Sequence, residues 1–313
     1  MDKNIGTVRD RLEYWGMLFA SVPWYYLPRP LSLGLGSLFG RFVAHFLPIR
    51  RQVAESNIRR AFPEKSRREV KNITVRTYCH FGKVFADLIR QDKYSRADLE
   101  SMVSTVNRQA LDAALEQGNG VVLLLGHFGN WEILGHWLGS MGYPVHAVQR
   151  PQNNPLVNEV VVHKRTAGGT RLISIFESAA AFFSVLQAGD ILFILADQDA
   201  HERGIFVDFF DIPSSTPRGA AVFARKLDSP IVLAFPIRQP DNSYQLIFEE
   251  LPYSANGAGN PNQTILQQYM HRLQYHVTRH PEQYFWFHRR WKTQPEKQRA
   301  ADGVAPSLAG ATG

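Results

Sequence analysis

Hydrophobic and polar positions divide the chain into three stretches. In the first, Tyr14–Pro28 runs for fifteen residues without a charge, YWGMLFASVPWYYLP. Arg29 interrupts, Leu31–Gly40 is again uncharged, Arg41 interrupts once more, and Phe42–Pro48 continues. None of these runs reaches the ~20 uninterrupted apolar residues of a spanning helix. Aromatic residues crowd the first run as they do in interfacial belts, and the basic cluster Arg50, Arg51, Arg59 and Arg60 follows directly. This order predicts an N-terminal helical membrane-associated segment whose continuation lies on the cytoplasmic side. A buried amphipathic helix pair with a charged outer face is the alternative. Gly36 and Gly40 form GxxxG with no strand before them, so close helix packing is expected there rather than nucleotide binding.

The second stretch, about 50–117, is polar and reads as helical. From Gly118 the period changes. Short apolar or alternating runs predict strands at Val121–Leu125, Pro144–Val148, Arg171–Ile175, Ile191–Ala196, Ile205–Phe210, Ile231–Ile237 and Tyr244–Phe248. Between them, helical patterns fall at Trp131–Met141, Leu156–Ala167, Ala179–Ala188, Arg218–Leu227 and Gln263–Arg279. Strands alternating with helices of this length predict an α/β fold with a mostly parallel central sheet flanked by helices. The expected division is an anchoring segment over 1–50, an α/β catalytic domain over 51–294, and a disordered tail over 295–313, where Ala, Gly, Pro and charge dominate.

Charge sharpens this picture. The 313 residues carry a net charge of +7. Residues 1–71 hold thirteen basic and six acidic side chains, so they account for the whole excess. A basic region beside an apolar one points to an anionic membrane surface. No RNA- or DNA-binding module is recognisable, and no nucleic-acid partner is expected. A single cysteine, Cys79, excludes an intrachain disulfide and a CxxC metal or redox site.

The densest chemistry is Gly126-His127-Phe128-Gly129-Asn130-Trp131-Glu132, directly after the first apolar strand. On one regular helix, His127 and Glu132 would lie about 140° apart. They meet only if His127 sits on the turn and Glu132 in the first turn of the next helix. Such a turn, at the end of a parallel strand, is where open α/β sheets place their sites. A carboxylate against an imidazole fixes its tautomer and makes it a general base for an alcohol. The structural alternative is a helix cap plus a packed histidine.

GHFGNWE resembles the His-x4-Asp/Glu motif of glycerolipid and lipid A acyltransferases. The Asn-Trp-Glu form is similar to the late, lauroyl/myristoyl acyltransferases of lipid A biosynthesis. Further blocks agree in order: Ala54–Phe62, Val148-Gln149-Arg150-Pro151, Asp197-Gln198, Val207–Phe210 with Ser215–Gly219, and Tyr284–Lys292. The resemblance spans residues 10 to 293. It implies an acyl thioester on acyl carrier protein as donor and a hydroxyl of a lipid A precursor as acceptor, at the cytoplasmic face of the cell inner membrane. In that scheme His127 is the base and Glu132 orients it, with no covalent intermediate, no metal and no cofactor. Arg150 and Arg218 are candidates for phosphate or sugar-acid groups, with surface ion pairing as the alternative. Asp197 would support the substrate site, and Arg289 and Arg290 would lie near the acceptor, with His288 a packed histidine. Asp211 stands where the family usually has Gly, and the Asp-Gln pair extends to Asp197–Glu202, which reads as a polar loop over the site. These departures bear on acceptor and chain length. An acyltransferase acting on another membrane glycolipid or lysophospholipid is the alternative.

Overall fold

The computed structural model describes residues 6–47, 49–253 and 260–295. The expected tail, but for its first residue, lies outside the described residues. A seven-stranded sheet forms the centre, in the order β1-β9-β8-β2-β5-β3-β4. Its strands are β1 (Val103–Val106), β2 (Val121–Leu125), β3 (Val145–Gln149), β4 (Arg171–Ser174), β5 (Ile191–Leu195), β8 (Ile231–Arg238) and β9 (Tyr244–Glu250). Strands β8, β2, β5, β3 and β4 run parallel, and β9 turns back antiparallel to β8. The α/β expectation holds, with all seven predicted strands present. A hairpin, β6 (Ile205–Phe209) with β7 (Ile212–Thr216), stands apart from the sheet.

Strand β2 shows why the sheet is central. Val122 and Leu124 face one buried cluster with α9 (Ala179–Gln187), α10 (Gly219–Leu227) and α11 (Pro261–Arg279). Val121, Leu123 and Leu125 face the other, with α5 (Arg96–Met102), α6 (Arg108–Glu116) and α7 (Trp131–Ser140). Helices on both faces remove the alternation a half-solvated strand would show. Two strands went unpredicted. β1 interrupts the stretch read as helical; it has only four residues, three of them exposed, at the sheet edge. β7, Ile-Pro-Ser-Ser-Thr, carries a proline and lacks an apolar run.

The N-terminal stretch forms α1 (Val8–Tyr26) and α2 (Arg29–Phe46), broken at Leu27-Pro28, followed by α3 (Arg51–Ala61) and α4 (Arg67–Arg90). Helix ends leave carbonyls without intrahelical donors. At this corner, the buried Arg90 Nη1 donates to the carbonyls of Trp24 and Tyr25, each at 2.9 Å. The GxxxG expectation is met where α2 crosses α4: a Cβ on Gly36 would strike the Gly82 carbonyl, and one on Gly82 the Gly36 carbonyl. Among the described residues, no single helix is long and apolar enough to cross a membrane.

Candidate active site

Strands β2 and β5 are paired in parallel, with Leu125 opposite Leu195. Two residues beyond each, at the carboxyl edge of the sheet, stand His127 and Asp197. His127 Nδ1 lies 2.6 Å from Asp197 Oδ1. An Nδ1–H donated to this carboxylate leaves Nε2 unprotonated and outward-facing. Gln198 Nε2 donates to that Nε2 at 3.3 Å. Asp197 is 2% exposed. Burial works to raise its carboxyl, but the charge the facing imidazole carries when protonated, together with its hydrogen bond, holds the carboxyl below its ordinary range.

The turn carrying His127 is fixed from both sides. Gly129 has φ +63°, and a Cβ there would collide with the Pro236 carbonyl of β8. Gly129 N donates to the Gln283 carbonyl and Phe285 N to the His127 carbonyl, each at 2.9 Å. Buried His80 on α4 meets the Gly129 carbonyl through Nε2 at 3.0 Å. Asn130 caps α7 by accepting from Ile133 N, which starts the helix immediately after the turn. The Tyr284–Lys292 block thus holds the turn from its C-terminal side.

Glu132 lies in the first turn of α7 as predicted, yet its carboxylate meets a different partner. Arg165 Nε donates to Oε2 at 3.0 Å and Nη2 to Oε1 at 2.6 Å, and Trp131 Nε1 donates to Oε1 at 3.1 Å. The carboxylate on the imidazole is Asp197 instead. From the first turn of α7, Glu132 faces α8 (Pro155–Thr166), which carries Arg165. Nothing in the sequence marked Arg165, because it stands 33 residues from Glu132 in an ordinary helical pattern.

His127, Glu132, Arg165 and Arg150 line one cavity of about 220 Å³, together with Trp131, Leu172, Phe193 and Leu195. Arg150 stands 5.7 Å over the Phe176 ring at its exposed rim. Arg218 is exposed at the N-terminus of α10 and is not among this cavity's lining residues. Arg289 lines a separate cavity with Asn57 and Arg60. Arg290 is buried and structural: Nη1 donates to the Ser215 carbonyl at 2.6 Å and Nη2 to Thr216 Oγ1 at 2.7 Å. His288 Nε2 accepts from Asp199 N at 3.0 Å, and Asp199 accepts from Thr293 Oγ1 at 2.9 Å. The 197–202 segment is therefore packed onto the C-terminal block.

A histidine backed by a buried carboxylate at the carboxyl edge of a buried sheet, opening on a cavity with charged and apolar walls, stands where open α/β folds place their sites. The chain belongs to the bacterial lipid A biosynthesis acyltransferase family, whose model matches residues 6–293. It is 26% identical over 279 residues to the lipid A biosynthesis palmitoleoyltransferase of Escherichia coli (strain K12), covering 87% of this chain and 88% of that protein. It is 25% identical over 273 residues to the lipid A biosynthesis lauroyltransferase of the same organism, covering 86% of this chain and 88% of that one. A phosphatidylinositol mannoside acyltransferase of Mycobacterium tuberculosis (strain ATCC 25618 / H37Rv) is 26% identical over 150 residues, 46% of this chain and 48% of its own.

Proposed function

We propose that this acyltransferase moves a fatty acyl chain from an acyl carrier protein thioester to a hydroxyl of a lipid A precursor. The observation that carries the reading is His127 Nε2, facing a mixed cavity with Asp197 behind the ring. The acceptor hydroxyl displaces the Gln198 amide from Nε2 and gives up its proton there. Its oxygen forms the new C–O bond at the thioester carbonyl. The tetrahedral adduct collapses, the C–S bond breaks, and the imidazolium returns the proton to the leaving thiolate. Asp197 holds the tautomer and stabilises the imidazolium. Glu132 acts through Arg165, keeping the guanidinium in the cavity wall, and Arg150 at the rim meets an acidic group of the acceptor. The helix that carries Arg165 also contributes Val160 and Val161 to an apolar cavity of about 290 Å³, shared with Leu18, Tyr25 and Phe85, which offers room for hydrocarbon.

The site of action is the cytoplasmic face of the inner membrane. Val8, Leu12, Trp15, Phe19, Val22 and Tyr26 are all exposed, at spacings of three and four, and form an outward apolar stripe along α1. An apolar face turned to solvent is the mark of an interfacial helix. The second reading, acylation of another glycolipid or a lysophospholipid, is favoured by the mannoside acyltransferase match. The test is to incubate the full-length protein with labelled acyl-carrier thioester and each acceptor, and identify the acylated lipid by mass spectrometry. Acylation of mannosylated phosphatidylinositol alone would replace the lipid A reading.

A further inference from the structure

The carboxyl edge of the sheet holds a second cavity, on the other side of the His127 turn. It has a volume of about 630 Å³ and lies between α2, α4, the end of β8 and the 279–283 segment. Its walls carry Arg41, Arg76, Lys83, Arg238 and Arg279 against one carboxylate, Glu282, which Arg76 meets at 3.2 Å. Such an imbalance in a concave space attracts an anion. Arg238 shows this most sharply. It is 6% exposed, and its Nη2 donates to Asp87 at 2.9 Å. Nε and Nη1 of the same guanidinium are buried without a hydrogen-bond partner. Asp87 cannot neutralise the group alone, because Arg29 Nε also donates to it, at 3.2 Å. Those two nitrogens are closed off and the guanidinium lies 4.7 Å over the Tyr244 ring, so Arg238 contributes its charge to the cavity, while the exposed Arg41, Arg76 and Arg279 supply the donors from which a phosphate would accept.

The rim identifies the molecule that brings the phosphate. Arg41 stands on α2 between Leu38, Phe39 and Phe42, which are all strongly exposed apolar side chains. A cationic cavity bordered by an outward apolar helix face matches a phosphate headgroup with its chains laid along that face. We propose that this cavity binds the phosphate of an anionic phospholipid headgroup and seats the enzyme on the membrane behind its catalytic turn. His80, which meets the Gly129 carbonyl, also lines the cavity, so the headgroup would lie against the residue bracing that turn. The proposal rests on the membrane-surface reading above, but its test is separable from it.

Purified full-length protein is titrated in solution with dihexanoyl phosphatidylglycerol, dihexanoyl phosphatidylcholine and inorganic phosphate. It is also floated with vesicles of phosphatidylcholine, with and without phosphatidylglycerol. The expected result is one phosphatidylglycerol per chain, bound about tenfold or more tighter than the zwitterionic lipid. Arg41→Glu with Arg279→Glu should abolish that preference. Glu282→Gln should strengthen binding, a gain that misfolding does not mimic. Equal binding of both lipids, or an unchanged double variant, would overturn the proposal. Inorganic phosphate binding as tightly as phosphatidylglycerol would assign the cavity to a free anion instead. Failure to float with either vesicle would count against the membrane reading while the solution titration still decides the cavity. Acyl transfer to a detergent-dispersed acceptor reads the proposed reaction independently of both.

Discussion

The guanidinium of Arg165 meets the Glu132 carboxylate edge-on, through two hydrogen bonds of 3.0 and 2.6 Å. The carboxylate is 8% exposed and the guanidinium 23%. Removing one partner of a mostly buried pair leaves the other charge uncompensated. Arg165→Met should therefore lose activity together with stability, the latter by about 3 kcal/mol. Glu132→Gln with Arg165→Met should melt higher than Arg165→Met alone while remaining inactive. Thermal melts of the single and double variants, with turnover, check both expectations.

His127→Ala should abolish acyl transfer in a folded protein. Asp197→Asn should cost about 10²- to 10⁴-fold in kcat, because an amide permits the tautomer with Nε2 protonated. Circular dichroism with acyl-carrier-dependent turnover measures this. A fully active Asp197→Asn enzyme would remove Asp197 from the mechanism.

The two candidate acceptor arginines should behave differently. Arg150 lines the His127 cavity and Arg218 is not among its lining residues. Arg150→Ala should raise the acceptor KM about tenfold or more, the loss of one charge-assisted contact. Arg218→Ala should change it far less. Initial-rate kinetics against acceptor concentration separate the two.

Burial and the neighbouring Arg238 charge push the His80 imidazole down to about 3 from an ordinary 6.5. Between those values the unfolded chain binds a proton that the folded chain does not. Stability is then full above about 6.5 and falls as pH drops toward 3, by up to about 1.4 kcal/mol per pH unit from this group. Melting temperatures from pH 7 to pH 4 should show it, and His80→Gln should flatten the profile.

At the α2–α4 crossing, Gly82→Ala drives a methyl into the Gly36 carbonyl and should cost about 1–3 kcal/mol. A methyl on Gly34 would meet nothing within 4 Å, so Gly34→Ala should stabilise α2 slightly. Comparative melts of the two variants test the crossing.

The parallel core was legible because β2 and β5 are unbroken apolar runs between turn signals, and GHFGNWE announced a site at the end of the first. The GxxxG pair announced the close crossing. The identity of the imidazole's partner was not legible. Position 132 is near His127 in sequence and Asp197 is seventy residues away, yet sheet order makes the distant residue the neighbour. Choosing between the two carboxylates requires knowing that β2 and β5 are adjacent and in register, which no local pattern states. Arg165 was hidden for the same reason, and β1 because an exposed four-residue edge strand has too few positions to display a period.

The register of β2 and β5 has one more consequence. His127 and Asp197 both stand two steps beyond the paired Leu125 and Leu195. A single inserted or deleted residue in either two-residue spacer would displace one side chain by about a residue's length, roughly 3.3 Å, and break the 2.6 Å contact. At Gly126 and Ala196, then, the gene is under a constraint of count: substitutions there can be graded in their damage, whereas a change of length separates imidazole from carboxylate outright.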